Sequence, residues 1–370
     1  MVGILDLHGA RPRFTVMVGT GGIGHGTFFL LEGNASLGRE ESRAGRILDR
    51  RDYCKLHIIS HYVKALLGDA CAVYPVGRVG EDDAGARLLN EMAAAGLDTR
   101  FARPVAGAPT LFSFCYLYPD GSGGNMTTAD SASGRVDGDA VREAEEVIAR
   151  AGASGIALAV PEVPLAAREA LLAAAGRHGL FKVASFTRAE MPEARERGLL
   201  GMTDLLAVNL EEACAAAGLE QPGARAGEAE ERARSAARAI ASEHPGLLLS
   251  ITAGAAGSWS WDGAAARGST GAAAGAPADG LAHQPALPVE VAGTSGAGDA
   301  HLAGLVAGLS AGLQLSDAQI LATLVGAASV TSPHTIHPGV TRKMLASLLR
   351  LRPDCPPHLA ALLDETPAEQ

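Results

Sequence analysis

The stretch Gly293-Thr294-Ser295-Gly296-Ala297-Gly298-Asp299-Ala300-His301 places three glycines within six residues and follows the last one directly with a carboxylate. Glycine lets a backbone turn tightly and approach a ligand closely. Apolar residues then recur with helical spacing at Leu302, Leu305, Val306, Leu309 and Leu313. The pattern predicts a glycine turn that opens a buried helix. The first N–H groups and the dipole of such a helix favour an anion.

Asp299 falls in the first turn of this predicted helix, where the dipole favours its ionised form. An ionised carboxylate there could take a proton from an alcohol, and an anion cradle beside a base suits phosphoryl transfer to a hydroxyl. Two other glycine motifs do not fit. A Walker A loop needs Lys-Ser or Lys-Thr where Asp299-Ala300 stand, and a nucleophile elbow needs glycine at Ala297. An ordinary helix cap remains the structural alternative.

The stretch closely resembles the second signature of the PfkB (ribokinase-like) carbohydrate kinases, Asp-Thr-x-Gly-Ala-Gly-Asp. Gly296 to Asp299 match it in full, whereas Gly293 replaces the first Asp and His301 replaces a usually apolar or aromatic residue. The resemblance implies that Asp299 is the catalytic base. It also implies that the N–H groups of Gly296, Ala297 and Gly298 hold the transferred phosphoryl group, with Gly293 near the substrate.

Three further motifs follow the order of this family. Gly77 to Gly85 resembles Gly-x-Val-Gly-x-Asp-x-x-Gly, although Asp82 could equally cap a helix. Asn209 and Glu212 match Asn-x-x-Glu, which in the family orders magnesium and phosphate through water, and their oxygens suit a hydrated magnesium ion. Thr252, Gly254 and Gly257 match the nucleotide loop Thr-x-Gly-x-x-Gly.

The resemblance also implies a place for the rest of the nucleotide. Thr294 would lie beside it, and a helix over Leu321–Val330 with the turn after it would flank the adenine through Ser329 and His334. The Asn common in that helix is absent, and Gly326 stands near its place.

The acceptor site departs from the family. Typical members carry Gly-Gly-x-x-x-Asn after the lid strands, whereas Asp52 to Ile59 holds neither a glycine pair nor an Asn. Lys55 and His57 could each donate to an acceptor or an anion, and Arg39 or Arg43 could reach the same pocket from the lid. We therefore expect poor use of ribose and fructose, and an acceptor that can bear a phosphate or carboxylate. The alternative is that Lys55 and His57 face solvent.

The remaining pattern indicates the fold. From about residue 139 to 208 amphipathic helices, the first over Asp139–Arg150, alternate with short apolar strands. This alternation predicts an α/β fold with a doubly wound, mostly parallel sheet sandwiched by helices. The resemblance adds a small β lid from about 20–50 and 108–132 within a kinase domain spanning 14–350. The charged segment Arg39 to Lys55 is expected to be a solvated helix or part of this lid. Residues 264–280 are predicted to form a flexible insertion, and residues 351–370 are predicted to form a C-terminal tail.

Gly19 to Gly24 fits Gly-x-Gly-x-x-Gly, the turn of a dinucleotide-binding fold. A helix should open there, but His25-Gly26-Thr27-Phe28-Phe29 continues with another glycine and β-forming residues. Two strands joined by a turn therefore fit better. A nicotinamide-dependent oxidoreductase using this turn remains an alternative function, as does a non-catalytic PfkB-like binding protein.

Composition limits the remaining possibilities. The 370 residues carry a net charge of −10 without a dense Lys/Arg tract, which argues against nucleic-acid binding. Five scattered cysteines favour reduced thiols, no signal peptide is evident and no apolar run approaches the roughly 18 residues of a membrane span. The sequence thus predicts a cytoplasmic kinase that uses ATP and Mg²⁺ on a sugar-like small molecule. A homodimer through the lid is plausible from the resemblance.

Overall fold

The computed structural model describes residues 2–7, 9, 11–120, 122–219, 227–263, 280–352 and 356–363. The strands are β1 (Val16–Thr20), β2 (Gly24–Leu31), β3 (Gly45–Tyr53), β4 (Ala72–Gly80), β5 (Ala102–Val105), β6 (Leu111–Leu117), β7 (Gly123–Thr127), β8 (Gly155–Ala159), β9 (Phe181–Ala184), β10 (Leu205–Asn209), β11 (Leu248–Thr252), β12 (Ser258–Trp261) and β13 (Leu281–Gln284). The insertion expected at 264–280 lies outside the described residues except for Gly280.

The helices connect and flank these strands. They are α1 (Lys55–Leu67), α2 (Asp83–Ala94), α3 (Gly138–Arg142), α4 (Glu145–Ala151), α5 (Leu165–His178), α6 (Met191–Glu196), α7 (Leu210–Ala216), α8 (Ala229–Glu243), α9 (Ala297–Ser310), α10 (Leu315–Ser329), α11 (Arg342–Leu349) and α12 (Pro357–Leu362). The expected tail at 351–370 is described at 351–352 and 356–363, where it forms α12.

A nine-stranded sheet forms the centre of the molecule, in the order β13-β12-β11-β10-β9-β8-β1-β4-β5. The strands from β11 to β5 run parallel, and β12 and β13 extend the β11 edge antiparallel. The predicted α/β fold with a mostly parallel sheet is therefore confirmed.

Helices cover both faces of this sheet, and the strands alternate accordingly. In β8, Ile156 and Leu158 pack with α1, α9 and α10, whereas Ala157 and Ala159 pack with α5 and its neighbours on the other face. Helix α9 is buried from Ala300 to Ser310. It lies so close to α10 that a Cβ at Gly304 would stand 2.8 Å from the Cα of Ala322. The predicted buried helix after Asp299 is thus the centre of one helical layer.

A second sheet, in the order β3-β2-β6-β7, forms the lid. Strand β2 pairs antiparallel with β3 and parallel with β6, and β6 pairs antiparallel with β7. Strand β2 begins at Gly24, so the turn after β1 leads into a strand, as expected, and not into the helix of a dinucleotide-binding fold. The charged segment before Lys55 includes edge strand β3, in which Arg46 and Asp49 are exposed.

Two differences from the sequence prediction concern helices. The single helix expected over Asp139–Arg150 is broken into α3 and α4 near Glu143. The Glu143 carboxylate forms ion pairs with Arg78 of β4 and Arg103 of β5. The helix expected at Leu321–Val330 begins earlier, at Leu315. Among the described residues, no helix combines the length and apolarity that a membrane span requires.

Candidate active site

The glycine turn before α9 forms as predicted. Gly296 precedes the helix with a φ of 78°, a conformation that favours glycine. The Ala300 N–H donates to the Gly296 carbonyl at 2.8 Å, so the N–H groups of Gly298 and Asp299 precede the first helical bond. Ala297 differs, because its N–H donates to the Thr294 carbonyl at 3.2 Å within the turn. Of the three expected phosphate donors, Ala297 therefore has its N–H already engaged.

Asp299 lies against a cation from a distant helix. The ammonium of Lys55, the first residue of α1, stands 3.4 Å from Asp299 Oδ1, and the two side chains are 35% and 15% exposed. Burial raises the pKa of Asp299, and the neighbouring Lys55 opposes that rise. The same contact raises the pKa of Lys55, which stays charged. Lys55 therefore reaches the candidate base, while about a third of its side chain stays exposed.

A cavity of about 450 Å³ opens beside this pair. The lid and the segment that follows it contribute Asn125, Thr127 and Ser131, while the loops after β8 and β9 contribute Glu162 and Thr187. Lys55 completes this lining. The volume lies in the range of small-molecule sites, and most of the polar side chains are hydroxyl, amide or carboxyl groups that can bond sugar-like hydroxyls.

Glu162 is a site residue that the sequence analysis missed. It follows β8 between two prolines, and it is the non-glycine residue with positive φ, 78°, among those described. Its Oε2 accepts the Lys55 N–H at 3.0 Å, and a Cβ at Gly22 would overlap the carboxylate. Burial raises the pKa of Glu162 to about 7, although Lys55 opposes the rise. A carboxylate directly after a buried strand was the available signal.

Asp52 is a second missed carboxylate. It lies on β3 with 7% exposure, and Gly26 of β2 leaves room for it, since a Cβ there would overlap the carboxylate. The Cys115 thiol donates to its Oδ2 at 3.5 Å. Burial raises the pKa of Asp52 to about 6, and the charge of Asp299 adds to the rise. The glycines at 22 and 26 thus make space for two buried carboxyl groups.

The predicted nucleotide loop borders a second cavity of about 340 Å³. Its lining includes Thr252 at the end of β11, Gly254 and Asn209. Gly254 has a φ of 54° and open space where a Cβ would stand, so the backbone is accessible there. Gly257, with a φ of 92°, instead lies against the backbone of Gln284 and shapes the loop. An open backbone cradle of this kind suits phosphates.

Asn209 and Glu212 form a capping box at the start of α7. Asn209 Oδ1 accepts the Glu212 N–H at 2.9 Å, and Glu212 Oε2 accepts the Asn209 N–H at 2.8 Å. Burial raises the pKa of Glu212, partly offset by the bond from Asn209, and Lys55 and Asp299 also influence it. Among the described residues no group of three His, Cys, Asp or Glu could hold a metal. The remaining oxygens of this pair suit a magnesium ion that keeps water and phosphate ligands.

Two expected substrate contacts lie elsewhere. Arg39 is exposed in a turn between β2 and β3. His57 is 1% exposed, its ring centroid lies 4.5 Å from that of Tyr53 with the two rings tilted by 55°, and burial lowers its pKa to about 3. Side chains two residues apart on a helix point in directions that differ by about 200°. With Lys55 directed into the cavity, His57 is therefore directed into the core. His301 is likewise buried in the core, and burial lowers its pKa to about 4.

The residues expected near the adenine bond mainly to the protein. The Ser329 hydroxyl donates to the Gly326 carbonyl at 2.7 Å. Gly293, which was expected near the substrate, likewise donates its N–H to the Val330 carbonyl at 3.2 Å. Thr294 holds the N–H of Ala297, as described above. Among the described residues, the lining of the second cavity does not include Thr294, Ser329 or His334.

The turn that carries His334 is bonded to lid strand β3. His334 Nδ1 accepts the Arg51 N–H at 2.9 Å, and the Thr335 N–H donates to the Arg51 carbonyl at 3.1 Å. The Thr335 hydroxyl accepts the Tyr53 N–H at 3.0 Å. A Cβ at Gly296 would stand 3.0 Å from the Thr335 Cβ. Thr335 therefore lies between the lid strand and the glycine turn.

A doubly wound sheet with a β lid, and an Asp at a glycine-rich helix start, define a ribokinase-like protein. Residues 61–342 match the pfkB family of carbohydrate kinases, and the chain belongs to this family. No curated protein matches the chain significantly.

Solved structures give the same fold. A ribokinase from Giardia lamblia is 18% identical, with a TM-score of 0.73 over 90% of this chain and 99% of that one. The ribokinase of Arabidopsis thaliana complexed with ribose and ATP is 18% identical, with a TM-score of 0.66 over 90% and 98%. A Burkholderia thailandensis nucleoside kinase in complex with inosine is 19% identical, with a TM-score of 0.66 over 90% and 96%.

Proposed function

We propose that the protein is an ATP-dependent kinase that phosphorylates a hydroxyl of a sugar or nucleoside, with Asp299 as the base. The observation that carries this proposal is the position of Asp299 at the start of buried helix α9. It contacts Lys55 of the first cavity and lies within electrostatic range of Glu212, beside the second. Acceptor and nucleotide could therefore meet at this carboxylate.

In this proposal the second cavity takes the phosphates of ATP. Thr252 and Gly254 would bind them, Gly257 would shape the loop, and the N–H groups at the start of α9, foremost Gly298, would hold the transferred group. Open space beside Gly254 and Gly298 supports this assignment. Asp299 would take the proton of the acceptor hydroxyl. The hydroxyl oxygen would then bond to the γ-phosphorus of ATP, and ADP would leave.

The charges in the first cavity favour an uncharged acceptor over the anionic one expected from the sequence. Lys55 is paired with Asp299, and Glu162 lies in the same cavity. An anionic group near Lys55 would also face these two carboxylates, whose repulsion offsets the attraction of the ammonium. Hydroxyl and amide side chains such as Thr127 and Asn125 suit a neutral polyol. Ribose binds the Arabidopsis relative and inosine the Burkholderia relative.

The test is ADP release from ATP and Mg²⁺ against sugars, nucleosides, polyols and sugar phosphates, with products identified by ³¹P NMR. We expect turnover with an uncharged acceptor larger than ribose, and poor kcat/KM for ribose and fructose because Asp52 to Ile59 lacks the glycine pair that would let such a sugar lie close to the backbone. ATP binding without ADP release from any acceptor would favour the non-catalytic alternative. An increase in NADH fluorescence on mixing would favour the oxidoreductase.

We propose that Glu212 and Asn209 order a magnesium ion through water, and that the ion neutralises phosphate charge. Glu212→Gln keeps an oxygen that can accept the Asn209 N–H, so the cap survives while the charge is lost. We expect this variant to need several-fold more Mg²⁺ for half-maximal activity. Glu211→Gln, one position away and paired with Arg232, is the matched control. Identical Mg²⁺ titrations of both variants would remove Glu212 from the metal site.

We also propose a homodimer through the lid. Ile47 of β3 and Met126 of β7 are 70% and 57% exposed on the outer strands of this sheet, which favours a covering partner. Sedimentation equilibrium of the wild type and of Ile47→Lys tests it. A monomeric wild type would contradict the proposal.

A further inference from the structure

Asp299 is surrounded mainly by groups of its own charge. Asp52 of β3, Glu162 after β8 and Glu212 of α7 all interact electrostatically with it. Among the described residues, the cation in contact with it is Lys55. Burial raises the pKa of Asp299 and so favours its protonated form, and Lys55 opposes that rise. A protonated Asp299 could not accept the proton of an acceptor hydroxyl, so the proposed function needs a compensating positive charge.

The structure fixes Lys55 where that charge is needed. Its backbone N–H donates to Glu162 Oε2 at 3.0 Å, and the next N–H, of Leu56, donates to the Gly22 carbonyl at 3.2 Å. The residue before it, Cys54, contributes no side-chain cap to α1. Glu162 therefore takes over the role of a helix cap and holds the backbone from which the ammonium reaches Asp299.

Helix stability does not explain a lysine at this position. The positive end of the α1 dipole lies at its first turn, where a cation is unfavourable. Lys64, near the other end of the same helix, has the favourable placement and pairs with Asp69 at 3.0 Å. The ion pair with Asp299, and not the helix, is therefore the interaction that favours a cation at this position.

Building on the proposed function, we infer that Lys55 is a positioning residue that keeps Asp299 ionised and oriented for proton transfer from the acceptor. Lys55 lines the first cavity, and its ammonium lies 3.4 Å from Asp299 Oδ1, close enough to hold the carboxylate beside that cavity. Lys55 does not itself exchange a proton in the reaction. Its contribution is the charge state of the base.

The direct test is a titration that does not depend on turnover. The full chain is labelled with ¹³C at the Asp carboxyl groups, and the Asp299 signal is assigned by its absence in Asp299→Asn. Lys55→Met should move the titration midpoint of this signal to higher pH by about one pH unit or more. Lys55→Arg should stay near the wild type. An unchanged midpoint in a folded Lys55→Met variant would overturn the inference.

A matched control lies on the same helix. Lys64→Met removes a cation about 13 Å further along α1 and should leave the Asp299 signal unchanged. Because Asp52, Glu162 and Glu212 also face the pair, the titration is repeated with Glu162→Gln in both backgrounds. The effect of Lys55→Met must persist there. If it disappears, Glu162 and not Lys55 sets the charge of the base, and the inference fails.

Kinetics give the second measurement. Where an acceptor is turned over, Lys55→Met should lose rate on the acidic side of the kcat profile and return to within about threefold of the wild type at high pH. A loss of kcat that is equal at every pH would indicate that Lys55 only packs against the acceptor. A gain in kcat would indicate that the ion pair with Lys55 hinders Asp299 from accepting the proton. Both results overturn the inference. If even the wild type releases no ADP, the proposed function fails, and the NMR titration still decides the role of Lys55.

Discussion

The proposed nucleotide end and the proposed acceptor end of the cleft differ in which chemical groups line them. The nucleotide end relies on backbone groups, the loop at Gly254 and the helix starts at Gly296 and Asn209. The acceptor end relies on half-buried ionisable side chains, Lys55 and Glu162, beside Asp299. Backbone N–H groups keep their dipoles at every pH, whereas side-chain charges depend on their neighbours. We therefore expect the first end to be sensitive to shape and the second to pH.

The largest effect should come from the residue between the two ends. Asp299→Asn keeps the shape and removes the base, so kcat should fall by about 10²–10⁴-fold. The backbone cradle is untouched, and the affinity for ATP measured by calorimetry should change little. A variant that keeps more than about a third of wild-type turnover, with chemistry rate-limiting, would contradict the assignment. Equal losses in turnover and ATP affinity would break the distinction between the ends.

The next effect concerns stability at the acceptor end. The pKa of Asp52 is raised by burial from 3.8 to about 6, so the folded chain holds this proton more tightly than the unfolded chain. Its contribution to stability is therefore present below about pH 4 and is lost as the pH rises through about 6. Asp52→Asn should raise the free energy of unfolding above pH 7 by about 3 kcal/mol.

Urea unfolding of the wild type and Asp52→Asn between pH 4.5 and 8 measures this difference. The two stability curves should converge towards the acidic end, where Asp52 is protonated and resembles Asn. Curves that stay parallel over the whole range would show that the substitution acts through packing and that the raised pKa contributes nothing.

The smallest effect should be the stability change at the nucleotide end. Gly296→Ala forces a side chain into a positive φ and towards Thr335, which should cost about 1–2 kcal/mol at any pH. Gly298→Ala, two residues on, meets open space inside the helix and should be neutral or stabilising by up to about 1 kcal/mol. Thermal unfolding of both variants at pH 6 and 8 measures these changes. Equal destabilisation, or a pH-dependent one at Gly296, would contradict the shape argument.

The same contrast explains what the sequence could reveal. The nucleotide end consists of contiguous motifs, so Asp299 at a helix start, Thr252 at a strand end and the capping pair at Asn209 could be placed from local patterns. The parallel sheet followed from the alternation of helices and strands. Periodicity did not reveal the break between α3 and α4, because the apolar spacing continues across it.

The contacts at the acceptor end could not be predicted from local sequence patterns. Lys55 meets Glu162 across 107 positions of the chain and Asp299 across 244. Those contacts depend on how α1, the β8 loop and α9 meet at one edge of the sheet. The inward turn of His57 follows from the helical phase of α1, which the sequence alone left open. The glycines at 22 and 26 were visible, but the carboxylates they accommodate were not.

Thr335 has a consequence for engineering this enzyme class. The turn at 334–335 makes four hydrogen bonds with strand β3 and packs against Gly296, so one short segment joins the lid to the glycine turn before α9. A lid transplanted alone from another family member would break these bonds and leave the turn mismatched. The smallest exchangeable unit is therefore discontinuous: the four lid strands together with residues 332–335, some 280 positions away from β3 in the chain.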